Sequence, residues 1–208
     1  MSFWFLLSVL GILIVVPIHF LSVEHSRLDA RFGKEKGFKV GAALGMISGW
    51  GFFLFLFGLW ISPQETFLVQ VWGIPPVYFM LAFGFLWLSI PILHLVLSIG
   101  FLLPGAYLGI KGVTEMGLKV AETHRAERVI STGVYSRVRH PQYLGAILAH
   151  IGASFLFSAY YSLLVTPLVI VINWILCWKE EQELVSEFGE EYQIYRKTVP
   201  MLFPRIRN

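Results

Sequence analysis

The chain has 208 residues, of which 56% are hydrophobic and 14% charged, and it contains 18 Phe and 7 Trp. This balance is far more apolar than that of a soluble domain, so we expect a protein of the lipid bilayer. The net charge of +3 is small and the cations lie between apolar runs, which indicates topology signals and argues against a nucleic-acid partner. The single cysteine, Cys177, excludes a disulfide framework or a cysteine-based zinc site made by this chain alone.

Apolar runs long enough to cross a bilayer, roughly 17 to 25 residues each, recur along the whole chain. Five are predicted as spans: 3–23, 40–61, 77–103, 142–159 and 162–178. The first has no basic leader and no small-residue cleavage site, so we expect a retained helix and not a signal peptide. The sequence therefore predicts an all-α, multi-pass membrane protein that forms a single membrane domain over 1–208.

Lys and Arg residues predict the orientation of these spans. Segment 24–39 has five of them and segment 111–140 has six, whereas segment 62–76 has none. By the positive-inside rule the first two segments face the cytoplasm and the third faces outside. The N-terminus is then expected outside and the C-terminus in the cytoplasm.

The stretch 71–110 carries no charge and allows two interpretations, a tight hairpin or one long span. An odd number of crossings must link the outer segment to the basic segment after residue 110, which favours one span. We expect this span to be kinked or tilted near Pro91 and to end at Pro104-Gly105.

The last two spans are predicted to form a helical hairpin that turns at residues 158–161. Small residues at spacings of three and four share one face of the first of these helices, which lets a neighbouring backbone approach closely. They are Gly145, Ala149, Gly152 and Ala153.

The stretch "RVRHPQY", residues 137–143, places cations at the start of the fourth apolar run. Pro141 suits the first turn of a helix, where its missing N–H would be unpaired anyway. Arg139 can reach lipid phosphates and Tyr143 can join an interfacial aromatic belt. Structure alone explains these three residues; it explains His140 less readily, although a lone interfacial histidine is more often structural than catalytic.

Six acidic residues lie within 180–191, directly after the fifth apolar run. A solvated acidic face is expected for Glu181, Glu183 and Glu187, helped by the pair of Lys179 with Glu183 at i,i+4.

Glu180 differs, because it lies on one helical stripe with Cys177 and Leu184 and should face the protein. An inward carboxylate at the membrane edge is a candidate functional group that needs a partner. The candidates are Arg137, Arg139 and a cationic ligand.

Histidines are scattered without metal-ligand spacing, so no metal site is expected. His19, His94 and His150 lie in separate apolar runs, and we expect His150 to be a satisfied interior side chain.

The order of these elements resembles the C-terminal half of the isoprenylcysteine carboxyl methyltransferase family and its phospholipid methyltransferase relatives. The resemblance rests on "ERVISTGVYSRVRHPQYLG" (127–145), on the apolar hairpin, and on "KEEQELVSEFGEEYQIYRKTVPMLFP" (179–204). Each piece is a weak signal, but the combination of G-x-Y, R-H-P-x-Y-x-G, E-E and F-G-x-x-Y in this order is specific.

The resemblance implies an integral-membrane enzyme that uses S-adenosylmethionine at the cytoplasmic edge of the membrane, without a Rossmann domain. It divides the chain into N-terminal transmembrane helices, 1–110, and a cofactor-binding segment, hairpin and cytoplasmic tail, 111–208. A carboxylate in the site fits the cofactor, because its methionine ammonium and its sulfonium are cationic.

The candidate site residues fall into three groups, and the resemblance implies the first of them. The cofactor-binding group is Val129, Ile130, Tyr135, His140, Pro141, Gln142, Tyr143 and Glu180. The candidate catalytic residues are Arg139, which would steer the cofactor or the acceptor, and His140. Candidate substrate contacts are Arg137 and Glu181.

The methyl acceptor is expected to be lipophilic and to enter from the membrane. A prenylcysteine-like carboxylate is the first candidate, although the prenylcysteine enzymes place an Arg where this chain has Leu176, so a carboxylate would need another cation such as Arg137. A phospholipid amine and a small thiol are the alternatives, and an amine would have to lose a proton, to His140 or Glu181. The competing class is a non-catalytic membrane protein that uses the hairpin for packing or partner binding; a transporter is disfavoured because no repeat or charged pathway is present.

Overall fold

The computed structural model describes residues 1–72, 74–83, 86–118, 120, 126 and 128–205, without the side chains of 83 and 86–88. The protein is mostly helical, as predicted. Its elements in chain order are α1 (Phe3–Val23), α2 (His25–Phe32), α3 (Lys34–Ile61), β1 (Tyr78–Phe83), β2 (Leu86–Pro91), α4 (Ile92–Met116), a 3-10 turn (Gly133–Ser136), α5 (Pro141–Leu156), α6 (Tyr160–Leu164), α7 (Thr166–Phe188) and α8 (Glu190–Thr198).

Helices α1, α3 and α4 have the length and apolar composition of membrane spans. Large apolar side chains on their outer faces stay exposed, among them Trp50 and Leu54 of α3. A surface this apolar is stable in lipid and would be costly in water. The chain is an integral membrane protein.

The prediction of a single span over 77–103 is wrong. Its first part, 78–91, forms an antiparallel pair of strands in which Tyr78 lies opposite Pro91. Aromatic and branched side chains favour strands, and Pro91 disfavours the helical conformation at Ile90. The strict all-α class is therefore wrong at this hairpin.

The predicted end of this span at Pro104-Gly105 is also wrong, because α4 continues through Pro104 to Met116. A proline inside a membrane helix is tolerated where neighbouring helices support the backbone. Here α5 packs directly against this part of α4.

Glycines bring the backbones of α4 and α5 into direct contact. A Cβ added to Gly145 would lie 2.8 Å from the carbonyl oxygen of Gly105 and 2.9 Å from the amide nitrogen of Gly109. A Cβ added to Gly152 would lie 3.0 Å from the carbonyl oxygen of Ser98. The close approach predicted for Gly145 and Gly152 is confirmed, and the partner is α4.

Helix α7 packs on α1 and α3 through a core that includes Val15, Phe52 and Leu176. The first turn of α5 contacts the end of α7 through Tyr143 and Glu180, and the hydroxyl of Ser154 near the end of α5 lies 2.9 Å from that of Ser162; between these helices Ser158 adopts a positive φ of 51°. Leu144 of α5 and Cys177 of α7 share a second core cluster.

Two buried histidines hold the end of the bundle that is remote from the first turn of α5. His150 accepts a hydrogen bond from the Trp60 indole at 3.1 Å, and its other ring nitrogen lies 3.1 Å from the carbonyl oxygen of Ser162. His94 accepts from the backbone N–H of Val69 at 2.8 Å. The expectation that His150 is a satisfied interior residue is confirmed.

Candidate active site

A cavity of about 620 Å³ lies between α1, α3, α4, α5 and α7. His140, Tyr143 and Glu180 line it where α5 begins and α7 leaves the apolar core. Val15, Phe52 and Leu176 line it deeper in the bundle. The cavity therefore joins a polar end to an apolar end.

The polar end is built on the first turn of α5. Pro141 occupies the first helical position, as predicted. The backbone N–H groups of Arg139 and His140 donate to the carbonyl oxygens of Pro200 and Met201, at 2.9 and 3.1 Å. The C-terminal tail thus folds back and fixes the entry to α5.

The 3-10 turn before α5 is held by α4. The Tyr135 hydroxyl donates to the Gly112 carbonyl oxygen at 3.1 Å, and Glu115 accepts from the Val134 backbone N–H at 2.9 Å. Gly133 has a φ of 58°, a backbone conformation that residues with a Cβ rarely adopt. Burial raises the pKa of Tyr135 to about 12, so this residue stays a neutral hydrogen-bonding group.

Glu180 faces the cavity, and its side chain is 14% exposed. Its carboxylate accepts a hydrogen bond from the Tyr143 hydroxyl, and it lies 3.1 Å from His19 Nε2 and 3.4 Å from His140 Nδ1. The inward orientation predicted from its helical stripe is confirmed. Of its candidate partners, Arg139 pairs instead with Glu181, and a cationic ligand stays a prediction; the side chains of two histidines and a tyrosine lie against the Glu180 carboxylate.

Glu181 is buried with only 2% of its side chain exposed, so the solvated face predicted for it is wrong. Its carboxylate lies 2.6 Å from Arg139 Nε, 3.1 Å from Arg196 Nε and 3.3 Å from His140 Nε2. We call Arg139, His140, Glu181 and Arg196 the Glu181 cluster. The predicted pair of Lys179 with Glu183 is present at 3.4 Å.

Charges inside the Glu181 cluster stabilise one another. Burial raises the pKa of Glu181, but hydrogen bonds from His140 and Arg139 outweigh it and leave the pKa below its ordinary value. Burial lowers the pKa of His140, but Cys177 and the carboxylates of Glu180 and Glu181 outweigh it and hold the pKa well above its ordinary value. The cluster therefore favours a charged carboxylate beside a charged imidazole.

Arg139 ties the tail to the site. Its guanidinium donates to Glu181 and to the backbone carbonyl oxygens of Arg196, at 2.9 Å, and Val199. From the sequence we expect Arg139 to steer the cofactor or the acceptor, but in this structure these contacts occupy its side chain, and Arg139 positions α5 against α8.

Seven of the residues predicted from the sequence line the cavity: Tyr135, Arg139, His140, Pro141, Gln142, Tyr143 and Glu180. The others, including the buried Glu181, are not among the cavity residues. Val129 packs against Tyr192 and Tyr195, Ile130 is half-buried, and Arg137 is exposed.

The cavity residues that the sequence did not predict include His19 of α1 and Asn173 of α7. His19 was read as isolated, yet its ring contacts Glu180 and lies 3.4 Å from the Tyr143 hydroxyl. The signal was available, because a polar side chain inside an apolar span is costly unless it has a partner or a ligand. Among the described residues, no three His, Cys, Asp or Glu side chains are placed to hold a metal ion.

Comparison with known proteins defines the class. Residues 93–191 match the family model for phospholipid methyltransferases. This range runs from α4 to the start of α8 and contains the polar end of the cavity. The resemblance predicted from the sequence is confirmed, and the C-terminal half of the chain is similar to the isoprenylcysteine carboxyl methyltransferase and phospholipid methyltransferase family.

Individual relatives are methyltransferases for different acceptors. The chain is similar to a protein-S-isoprenylcysteine O-methyltransferase of Schizosaccharomyces pombe, with 32% identity over 52% of this chain and 49% of the relative. It is similar to methanethiol S-methyltransferase 2 of Bradyrhizobium diazoefficiens, with 37% identity over 35% of this chain and 27% of the relative. It is also similar to a protein-S-isoprenylcysteine O-methyltransferase of Xenopus laevis, with 33% identity over 41% of this chain and 30% of the relative. The chain thus spans about half or less of the length of the curated relatives it matches.

Proposed function

We propose that the protein is an S-adenosylmethionine-dependent membrane methyltransferase that binds its cofactor at the polar end of the cavity and a lipophilic acceptor at the apolar end. The observation that supports this most strongly is the cavity itself, which joins Glu180 to the apolar interior of the bundle. Helix packing or partner binding alone does not require an internal cavity of this kind.

The residues of the polar end fit the cofactor. Glu180, Glu183 and Glu187 of α7 all line the cavity there, which suits a ligand with a cationic ammonium and sulfonium. When bound, S-adenosylmethionine supplies the methyl group that is transferred. The residues that would enclose it are Tyr135, Pro141, Gln142 and Tyr143. Val129 and Ile130 lie in the segment before the 3-10 turn.

Glu180 is the group that would hold the cofactor's ammonium, and His140 would orient that carboxylate through Nδ1. The fixed first turn of α5 would exclude water from the reacting atoms. Methyl transfer is an in-line displacement, so alignment and desolvation contribute more to it than a strong acid or base.

The Glu181 cluster argues against an acceptor that must lose a proton. The Glu181 carboxylate is already paired with two guanidinium groups, and His140 lies between two carboxylates that favour its protonated form. Neither group is free to act as a base. A carboxylate or thiolate acceptor needs no base, so we favour a prenylcysteine-like carboxylate over a phospholipid amine.

A small thiolate is the second candidate, because relatives named methanethiol S-methyltransferases match the chain. A cavity of about 620 Å³ with an apolar end is larger than such a substrate requires, and this favours the prenylated acceptor.

We further propose five crossings of the membrane: α1, α3, α4, α5 and the apolar part of α7. The strand pair changes the course of residues 78–91 but not the number of crossings between segment 62–76 and segment 111–140, since α4 alone makes that crossing. The charge argument for an outer N-terminus, a cytoplasmic C-terminus and a cytoplasmic cofactor site is therefore unchanged.

The test is methyl transfer from isotope-labelled S-adenosylmethionine by the purified protein in lipid nanodiscs. Three acceptors are compared: an N-acylated S-farnesylcysteine, phosphatidylethanolamine and methanethiol. We expect label in a base-labile ester of the prenylcysteine. Transfer to the phospholipid alone would refute the acceptor assignment, and no transfer to any of them by folded protein would favour the non-catalytic class.

A further inference from the structure

Asn173 is a polar side chain at an unusual depth in α7. It is 0% exposed, and it lies seven residues before Glu180 on the stripe of α7 that lines the cavity. At 1.5 Å per residue this places it about 10 Å deeper than Glu180 along the helix axis. The same cavity is lined by the apolar side chains Val15, Phe52 and Leu176, and also by Ser48, whose hydroxyl donates to the carbonyl oxygen of Gly45.

Half of its carboxamide is satisfied within α7. The Nδ2 group donates to the carbonyl oxygen of Val169 at 2.8 Å, which fixes the orientation of the amide. Within the part of the chain that the structure describes, Oδ1 has no hydrogen-bond partner. A buried acceptor left without a donor costs free energy, and the cost is larger in apolar surroundings.

A substrate that carries an N–H group would satisfy this oxygen when it binds. Building on the proposed function, we propose that Asn173 is a specificity-determining residue whose Oδ1 accepts a hydrogen bond from the acylamino N–H of an N-acylated prenylcysteine. Glu180 and Asn173 line the same cavity, so a cofactor held by Glu180 and an acceptor held by Asn173 would share this space. The acylamino nitrogen is two bonds from the carboxylate carbon that carries the methylated oxygen, so it enters the same region.

Asn173 then makes the site selective for an acceptor with an acylamino group. Leu176, one turn nearer to Glu180, has no polar atom that could do this. A carboxamide oxygen repels a carboxylate and attracts an N–H, so it also fixes which way the head of the acceptor points. A prenylated acid without the acylamino group leaves Oδ1 unpaired and binds less tightly.

The experiment compares two probes that differ only in this group, N-acetyl-S-farnesylcysteine and 3-(farnesylthio)propanoic acid. Their dissociation constants are measured by tryptophan fluorescence with S-adenosylhomocysteine present, for the wild type, for Asn173→Leu and for Ser98→Ala. Ser98 also has a buried unpartnered hydroxyl, but it is not among the residues that line the cavity, so it controls for the loss of a buried polar group.

We expect the wild type and Ser98→Ala to bind the acylamino probe about three- to tenfold more tightly, the usual net effect of one hydrogen bond. In Asn173→Leu this preference should disappear, while affinity for S-adenosylhomocysteine stays within about twofold of wild type. An unchanged preference in Asn173→Leu overturns the role of Asn173.

If the wild type binds the two probes equally, that result alone overturns the proposed role of Asn173. The test therefore does not depend on whether the variant folds. If the wild type binds S-adenosylhomocysteine but neither probe, the prenylcysteine acceptor itself is refuted, and the role of Asn173 with it. Failure to bind S-adenosylhomocysteine refutes the cofactor site instead.

Discussion

Glu180 and Glu181 are neighbours in the sequence, but the helix turns their side chains about 100° apart, and they share His140 while their other partners differ. Glu180 lines the cavity beside His19, His140 and Tyr143. Glu181 is buried between two arginines that connect α5 to α8. We assign ligand binding to the first carboxylate and stability to the second.

Removing the Glu181 charge should destabilise the protein without removing the cavity. In Glu181→Gln the guanidinium of Arg139 stays buried without its counter-ion, so we expect a loss of about 3 kcal/mol, the low end for a broken buried pair. Unfolding in detergent by a denaturant series measures this loss. Glu190→Gln, at an exposed position at the start of α8, should lose no more than about 1 kcal/mol, and equal losses in the two variants would contradict the assignment.

The same cluster predicts how stability depends on pH. The pKa of His140 is raised in the folded protein, so its contribution is complete below the ordinary histidine pKa and is lost as pH rises through the raised value. The pKa of Glu181 is lowered, so its contribution is present above the ordinary carboxyl pKa and is lost as pH falls through the lowered value. Both contributions are complete between about pH 4.5 and 6.5, around the ordinary values of the two groups.

We therefore compare the unfolding free energies of wild type and His140→Gln at several pH values. The wild type should be more stable by about 1.5–3 kcal/mol near pH 6, the range for hydrogen bonds to charged groups, and the difference should shrink as pH rises. A difference that grows with pH would mean that His140 is neutral in the folded state.

The sequence supported part of this residue-level account. The stripe shared with Cys177 correctly predicted that Glu180 faces inward, because helical periodicity depends only on sequence. It failed for Glu181 because the charges that bury this residue come from Arg139, 42 positions earlier in the chain, and from Arg196 on a helix that folds back. Helical periodicity predicts which face of a helix a residue lies on, but it does not predict a partner that is distant in the sequence.

Helices α4 and α5 are in close backbone contact, and this contact depends on glycine. Gly105 and Gly145 lie at the crossing, where each would bring a Cβ within about 3 Å of the other helix's backbone. The small-residue face of α5 was readable from the sequence, but its partner was not, since the same face also fits a hairpin neighbour. The course of 77–103 was misread because an apolar run of this length suits a helix or paired strands equally well.

Gly145→Ala tests this contact. The added methyl would meet the backbone of Gly105 and Gly109, which cannot move aside as a flexible side chain can, so we expect a loss of about 1–3 kcal/mol in unfolding free energy. Gly100→Ala is the matched control on α4, because a Cβ there meets no described atom within 4 Å, and it should be neutral or slightly stabilising. Equal effects from the two variants would contradict a close backbone contact.

At the scale of the whole molecule, five helices surround one cavity that connects a charged end to an apolar end. The family motifs predicted the charged end through Tyr135, His140 and Glu180. Its apolar continuation was not predicted, because Gly49, Phe52 and the other N-terminal residues that line it have no motif and enter only through packing.

Gly49→Leu should close the apolar part of the cavity from α3. A Cβ at this position meets no described atom within 4 Å, so the side chain can fill the cavity without moving backbone. We expect KM for the lipophilic acceptor to rise at least tenfold, with an unchanged Kd for S-adenosylhomocysteine. Gly100→Leu, which adds the same side chain to an open position that is not among the cavity residues, should keep wild-type kinetics. Wild-type KM in Gly49→Leu would show that the acceptor binds elsewhere.

The most direct test of the central claim is calorimetric titration of the purified protein in detergent with S-adenosylhomocysteine, beside Glu180→Gln and the control Glu190→Gln. We predict micromolar binding by the wild type and the control, and a loss of about 1–3 kcal/mol in Glu180→Gln, the cost of a charged hydrogen bond to the ligand's ammonium. Absence of binding by folded wild type, or equal affinity in Glu180→Gln, would contradict a cofactor site at this end of the cavity.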